Sequence, residues 1–343
     1  MTRRSVTLRD VALSAGVSRT TASYILNGRA AEMRIAPSTV DRVRAAAEGL
    51  GYRPNRSAQN LRTSTTRTIG VLSDHVASGH YASSMLTGAS AAARRSDHLV
   101  VIGESGGDTE LEELLIEEML DRHVDGIVYA RLVTSTITVP DALRDQRVVL
   151  LNCVDKHHAY PALLPDERAG ARGAIEALAL AGVAADVWVV GEDPTPDALA
   201  GPLRMEGIRA ALDELGTPLA GVVSCPWATQ DAHDAVHHWL MGGVRPGALV
   251  CLNDRVAMGA YQALATHGLD VPGDVAVISF DGTELATWLR PPVSSVGLPY
   301  AELGECAVEL LTGAADPAPG IRWFPMGLVP GRSVVDSAGV SCA

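Results

Sequence analysis

Charge is divided unevenly along this chain, and the division constrains the fold more than any total. Residues Met1–Arg67 hold twelve arginines, no lysine and four acids, a net charge of +8. Residues 68–343 hold 16 basic and 36 acidic side chains, a net charge of −20. A basic head on an acidic body is the asymmetry of a chain whose N-terminus meets phosphate, and a solvated Arg-rich surface is the plainer alternative. With one lysine, Lys156, among 28 basic residues, the choice of Arg over Lys at any single position carries little weight. The 343 residues, 47% of hydrophobic type, suffice for two or three domains. No apolar run reaches the roughly 18 residues of a membrane helix. The opening "MTRRSVTLRD" lacks the apolar stretch of a secretory signal, so the cytoplasm is the expected compartment. Five scattered cysteines without a CxxC predict small buried residues rather than disulfides or zinc.

The basic head opens with "TLRDVALSAGVSRTTASYILNG", Thr7 to Gly28. Thr7 caps a helix, with Asp10 three positions on as a capping-box variant. Leu8, Val11, Ala12 and Ala15 form one apolar stripe, and Gly16 allows the left-handed turn that ends the helix. Ser18 caps a second helix, which turns Ala22, Ile25 and Leu26 inward and stops at Asn27-Gly28. Two short helices around a Gly-containing turn predict a helix-turn-helix, whose second helix enters the major groove. Arg19, Thr20 and Ser23 stand near the exposed end of that helix, while Ser14, Ser18 and Thr21 are placed to donate to phosphates. A third helix runs from Pro37 to about Leu50, stopped by Gly51. The following "YRPNRSAQNLRT" predicts a short helix capped by Asn55, too short and polar to fold alone. It reads as a linker that orders against DNA and a partner copy.

Three stretches in this order, "TLRDVALSAGVSRTTASYILNG", "VDRVRAAAEGLGYRPNRSAQNLRT" and "TRTIGVL", resemble the head, hinge and first core strand of the LacI/GalR family of bacterial repressors. The resemblance implies that Arg19 and Thr20 are the base-reading pair. Tyr24 falls where the family usually has Arg, and Tyr stacks or donates one hydrogen bond in place of a bidentate fork. The loop "GRAAEMRIAPST" is a few residues longer than usual, and Ala36 stands where a Ser cap is common. Asn55, Ala58, Gln59 and Leu61 match the hinge helix, with Leu61 as the wedge that kinks the operator through its minor groove. The candidate DNA contacts are therefore Thr7, Ser18, Arg19, Thr20, Ser23, Tyr24, Asn27, Asn55, Ala58, Gln59 and Leu61. The plainer reading of the hinge is a linker with Leu61 buried against the body.

From Thr68 onward, β-branched runs alternate with Ala-rich helical stretches: "TIGVLS", "HLVVIGES", "VDGIVYA", "VVLLN", "DVWVVG", "GVVSC", "ALVCLND" and "DVAVISFDG" each precede a helical segment. Repeated βα units predict an α/β fold of doubly wound parallel sheets, and the strand number predicts two lobes. Ligands of such sheets sit at the strand carboxyl ends, where Asp74, Asn152, Asn253 and Asp281 gather. The family resemblance implies a two-lobed periplasmic-binding-protein-like core with three crossovers. It places a sugar-gripping Arg on Arg204, a polar contact on Asn253, an acceptor carboxylate on Asp281 and flanking rings on Trp227 and Tyr300. Asp74 and Asn152 line the cleft in this reading. Vicinal hydroxyls favour planar Arg and carboxylate partners, and a sugar's C–H face favours an aromatic plate. Singly, Asp281 also reads as a helix cap, Trp227 as core and Arg204 as surface charge.

The expected layout is a head over 1–54, a hinge over 55–67, a core over 68–335 and a tail over 336–343. Within the core, one lobe takes about 68–163 and 291–320, the other about 164–290 and 321–335. "GESGGD" is not GxGxxG, no GK[ST] or GxSxG occurs, and His233 and His237 read as a solvated helix face rather than a metal site. No catalytic pair, metal or cofactor is expected. The chain is read as a homodimeric regulator of double-stranded operator DNA, with a small carbohydrate effector in the cleft. Two rivals stand beside it: a cytoplasmic sugar-binding protein with a non-functional head, and an enzyme on a doubly wound fold.

Overall fold

A computed structural model describes residues 6–52, 65–75, 82–192, 197–313 and 317–334. The hinge candidates Asn55, Ala58, Gln59 and Leu61 lie outside these residues. The chain divides into two compact units, Met1–Thr66 and Arg67–Ala343.

The first unit contains helices α1 (Leu8–Ala15), α2 (Arg19–Leu26) and α3 (Pro37–Leu50). Thr7 and Asp10 complete a reciprocal capping box, and Gly16 ends α1 with φ +64°. Ser18 caps α2 by accepting from the Thr21 amide at 3.0 Å. Ala36 offers no side-chain cap to α3, which starts instead on Pro37. The core is small: Val11, Ala12, Ala15, Ala22, Ile25, Val43 and Ala47 are buried. Arg42 Nε reinforces it by donating to the Ala15 carbonyl at 2.9 Å, tying α3 to the open end of α1.

The second unit holds two sheets. One orders its strands β11-β5-β4-β3-β1-β2, all parallel: β1 (Thr68–Ser73), β2 (Leu99–Glu104), β3 (Gly126–Ile137), β4 (Val148–Asp155), β5 (Pro161–Pro165) and β11 (Gly320–Phe324). Helices α4 (Ala82–Arg95) and α11 (Tyr300–Thr312) pack on one face with Ile69, Val71, Val128 and Leu151; α5 (Thr109–Asp121) covers Leu72, Ile127 and Leu150 on the other. The other sheet runs β12-β10-β9-β8-β6-β7: β6 (Val187–Val190), β7 (Gly221–Val223), β8 (Ala248–Cys251), β9 (Ala276–Asp281), β10 (Ser294–Gly297) and an antiparallel β12 (Leu328–Val329). Helices α6 (Glu167–Leu180) and α7 (Ala200–Glu214) cover one face, α8 (Thr229–Met241) and α9 (Asp254–Thr266) the other, and α10 (Glu284–Trp288) follows β9. Strands β4 and β5 are buried along their whole length, as parallel strands covered on both sides must be.

The chain passes between lobes after β5, after β10 and after β11. These crossovers correct the expected boundaries. Residues 291–297 belong to the second lobe, because β10 pairs in parallel with β9; 321–324 belong to the first, because β11 pairs in parallel with β5. The short β10 has no apolar signature in sequence: "SSVG" is polar at its first two positions. The helical segment expected after "VDGIVYA" is a single 3-10 turn at Asp141–Leu143.

Helices α4 and α11 approach so closely that a Cβ on Gly304 would stand 2.2 Å from the Met85 carbonyl oxygen. Gly304→Ala is expected to destabilise the second unit by about 1–3 kcal/mol through overpacking. Gly173→Ala, where a Cβ meets nothing within 4 Å inside α6, is expected to stabilise it by about 0.5–1 kcal/mol. Thermal unfolding of the two variants reads the contrast; equal shifts would contradict the close crossing.

Candidate effector cleft and nucleic-acid interface

On the first unit, Arg19 and Thr20 are exposed at the start of α2, the end that a helix-turn-helix presents to base edges. Ser18 is engaged as the α2 cap, and its hydroxyl also meets Thr21 Oγ1 at 2.8 Å. Thr7 is held by Asp10 in the capping box. Ser23 accepts from Asn27 Nδ2 at 3.1 Å, so these two side chains support each other one turn apart. Tyr24 is half-buried, with the Arg29 guanidinium 5.3 Å from its ring centroid. Arg29 in turn grips Glu32 at 2.8 and 2.5 Å inside the long loop, which explains what the extra residues hold.

On the second unit, a cleft of about 40 Å³ lies between the lobes. Leu132, Val133, Thr134, Glu167, Ala200, Arg204, Trp227, Asn253, Arg255, Asp281, Leu298 and Tyr300 line it. Five of the seven expected ligand residues therefore converge: Arg204, Trp227, Asn253, Asp281 and Tyr300. The volume is far below the roughly 300–1,000 Å³ of a small-molecule pocket, so the cleft is narrow.

Arg204 is the centre of the site and is 2% exposed, against the plainer expectation of a surface charge. It rises from the second turn of α7. Its Nε and Nη2 donate to both oxygens of Glu167, at 2.7 and 3.3 Å, and its Nη1 donates to the Leu252 carbonyl. Asp281 Oδ1 lies 3.6 Å from Nη2. The guanidinium carbon sits 4.6 Å from the Phe280 ring centroid and 5.3 Å from that of Trp227. Delocalised charge and a planar face suit Arg to this packing.

Glu167 escaped the sequence reading. It is 1% exposed, at the first position of α6, directly after the first crossover. Its signal was available in "PDERAG": a carboxylate in a first helical turn beyond a strand carboxyl end, where ligands of open α/β sheets bind. Arg255, also missed, is exposed at the lip of the cleft.

Asp281 ends β9 with φ +103°, a backbone conformation that turns its carboxylate into the cleft. Buried Asp254 holds this turn. It accepts from Ser279 Oγ at 2.5 Å, Ser295 Oγ at 2.7 Å, and both the amide and hydroxyl of Thr283 at 2.7 Å. Asn253 is largely engaged: Oδ1 caps α9 through the Val256 amide at 2.7 Å, and Nδ2 reaches the Trp227 carbonyl at 3.4 Å. Trp227 Nε1 donates to the Gly191 carbonyl, which sets its ring beside Arg204. Burial, reinforced by Asp281 and Glu167, pushes the Tyr300 phenol well above its ordinary range, so it stays a protonated donor, reaching the Leu132 carbonyl at 3.4 Å.

Asp74 and Asn152 are not brought to the cleft. They hold what lines it. Beyond Ala130, β3 bulges away from β4 before pairing resumes at Ser135. Asn152, with φ +58°, spans the gap: Nδ2 donates to the Arg131 and Leu132 carbonyls, each at 3.0 Å, and Oδ1 accepts from Thr134 Oγ1 at 2.7 Å. Asp74 accepts from the Leu132 amide at 2.9 Å. The bulge carries Leu132, Val133 and Thr134 over the cleft. Its far end meets the other lobe: the Leu199 amide donates to the Thr134 carbonyl at 2.7 Å, and the Thr136 amide to the Asp197 carbonyl at 3.0 Å.

Removing one partner of a buried pair strands the other's charge. Glu167→Ala is therefore expected to destabilise the second unit by about 3–5 kcal/mol. Glu206→Ala, which breaks the exposed Arg168 pair, should hardly move the urea midpoint. Similar midpoints for the two variants would show that Arg204 does not depend on Glu167.

The comparisons follow this geometry. Residues 7–55 match the family model for bacterial regulatory proteins of the lacI family, and residues 175–334 match the periplasmic binding protein-like domain. The catabolite control protein A of Priestia megaterium is 30% identical over 313 residues, spanning 90% of this chain and 92% of that protein. The sucrose operon repressor of Escherichia coli is 30% identical over 326 residues, spanning 89% and 93%. The crystal structure of the lac repressor dimer bound to operator and the anti-inducer ONPF superposes with a TM-score of 0.79 at 23% identity, covering 97% of this chain and 100% of that one. A complex of the transcriptional regulator CelR with cellobiose superposes at 0.66 and 24% identity, covering 96% and 99%. With both halves of the architecture matched in order and 30% identity to a relative along nine-tenths of its length, the chain belongs to the lacI family of bacterial regulatory proteins.

Proposed function

We propose that the chain is a cytoplasmic transcriptional repressor that binds a pseudo-palindromic operator as a homodimer and is controlled by a small carbohydrate in the interlobe cleft. The observation that carries this reading is the pairing, on one chain, of a helix-turn-helix with Arg19 and Thr20 exposed and a narrow cleft walled by carboxylates, Arg204 and Trp227. The cleft's relatives support the effector class: the curated relatives include sucrose and ribose operon repressors, and the CelR structure holds cellobiose. No described helix is long and apolar enough to cross a membrane.

Dimerisation draws support from the first lobe. Its edge strand β2 exposes Leu99 and Ile102, and the neighbouring α5 exposes Leu111 and Leu114. An open apolar edge of this kind favours association, and a second copy would cover it symmetrically. Effector control requires the ligand to favour one lobe arrangement over the other, with a coupling of about 1–3 kcal/mol. The sugar-binding protein with a non-functional head remains the rival reading, and a steep salt dependence of DNA affinity distinguishes the two.

Two substitutions test the reading. Leu61→Ala is expected to weaken operator binding more than binding to random duplex in a mobility-shift assay; equal losses would remove the wedge. Asp281→Ala is expected to abolish the effector response in calorimetry and leave operator affinity in the absence of effector within about twofold of wild type, since the coupling is expressed only when effector binds. An unchanged response would remove Asp281 from the effector site.

A further inference from the structure

The cleft's ionised groups define the charge that a ligand must carry. Glu167 and Asp281 bring two carboxylates, and among the described residues Arg204 is the one buried cation that faces them. The trio is a net −1, with all three side chains at most 7% exposed. Both Glu167 oxygens are on the guanidinium, and the third face of Arg204 goes to the Leu252 carbonyl. The Nε/Nη2 edge of the guanidinium, which would grip a phosphate or carboxylate side-on, is thus already filled by a carboxylate of the chain itself. Arg255, at the lip, is exposed to water, where a charge attracts weakly. An anion entering the cleft would meet two buried carboxylates, whereas hydroxyl groups would meet acceptors.

We propose that Glu167 is a specificity-determining residue. By occupying Arg204 it excludes phosphorylated and carboxylated compounds and restricts the cleft to uncharged polyhydroxy molecules. The inference rests on the reading of this cleft as the effector site. Thr134 adds a positional hint: its hydroxyl reaches Glu167 Oε1 at 3.4 Å from the opposite lobe, so lobe closure and the Glu167 geometry are linked.

The test titrates the full-length chain with inorganic phosphate, following the fluorescence of Trp227, with Trp227→Phe to assign the signal. Wild type is expected to show no saturable response. Glu167→Gln keeps an oxygen for Arg204 and removes the competing charge; it is expected to bind phosphate at least tenfold more tightly than wild type. Arg255→Ala in the Glu167→Gln background should leave most of that gain. Saturable binding of phosphate by wild type at Trp227, or no gain in folded Glu167→Gln, overturns the proposal. Should Glu167→Gln not fold, Glu167→Asn, uncharged and one methylene shorter, is expected to gain phosphate binding in smaller measure, and no gain overturns the proposal equally. A parallel panel pairs neutral sugars with their 6-phosphates and uronic acids on wild type. Preference for a charged member contradicts the role of Glu167. Silence toward every sugar, with the phosphate gain intact, would instead fault the carbohydrate reading.

Discussion

A fully ionised guanidinium buried at 2% exposure sets the terms for the whole second unit. Burying such a charge is costly unless oxygen acceptors and aromatic faces surround it. Arg204 obtains them from widely separated parts of the chain: Glu167 from α6, Leu252 from the end of β8, Asp281 and Phe280 from β9, and Trp227 from the segment ahead of α8. These groups meet only if the second sheet has its observed strand order. The charge therefore acts as a check on topology, and the same groups form the floor of the cleft.

The other wall is built differently. There the first lobe sends a bulged stretch of β3 across the opening, and its shape depends on one Asn in a left-handed conformation. Asn tolerates that backbone better than most residues, and its amide supplies two donors and one acceptor to the bulge. The bulge then pairs with the residues just ahead of α7, the helix that carries Arg204. Any parting of the lobes must break these backbone bonds and move Thr134 from Glu167. Ligand control of the proposed kind needs a second lobe arrangement in which these bonds are broken and to which the ligand binds with different affinity.

Much of the fold was legible because parallel strands covered on both faces read as continuous apolar runs, and "VVLLN" and "DVAVISFDG" are such runs. The caps of α1 and α2 were equally plain, since Thr7 and Ser18 act through neighbours three residues away. What stayed hidden was non-local. The strand β10 is a polar tetrapeptide whose place is set by pairing with β9. Glu167 looked like an ordinary first-turn acid until tertiary packing put it on Arg204. Asp74 and Asn152 were identified as lining residues; a strand-end position says that a side chain is near the cleft, not whether it faces the ligand or supports a loop that does.

The account's central claim is that one chain reads DNA and answers to a cleft ligand. The most direct measurement is capture of sheared genomic DNA by the purified full-length protein at moderate salt, with and without a panel of uncharged carbohydrates, followed by sequencing. The account predicts one enriched pseudo-palindrome whose recovery changes with one compound and no longer changes in Asp281→Ala. Enrichment that no carbohydrate alters, or none in any condition, would contradict it.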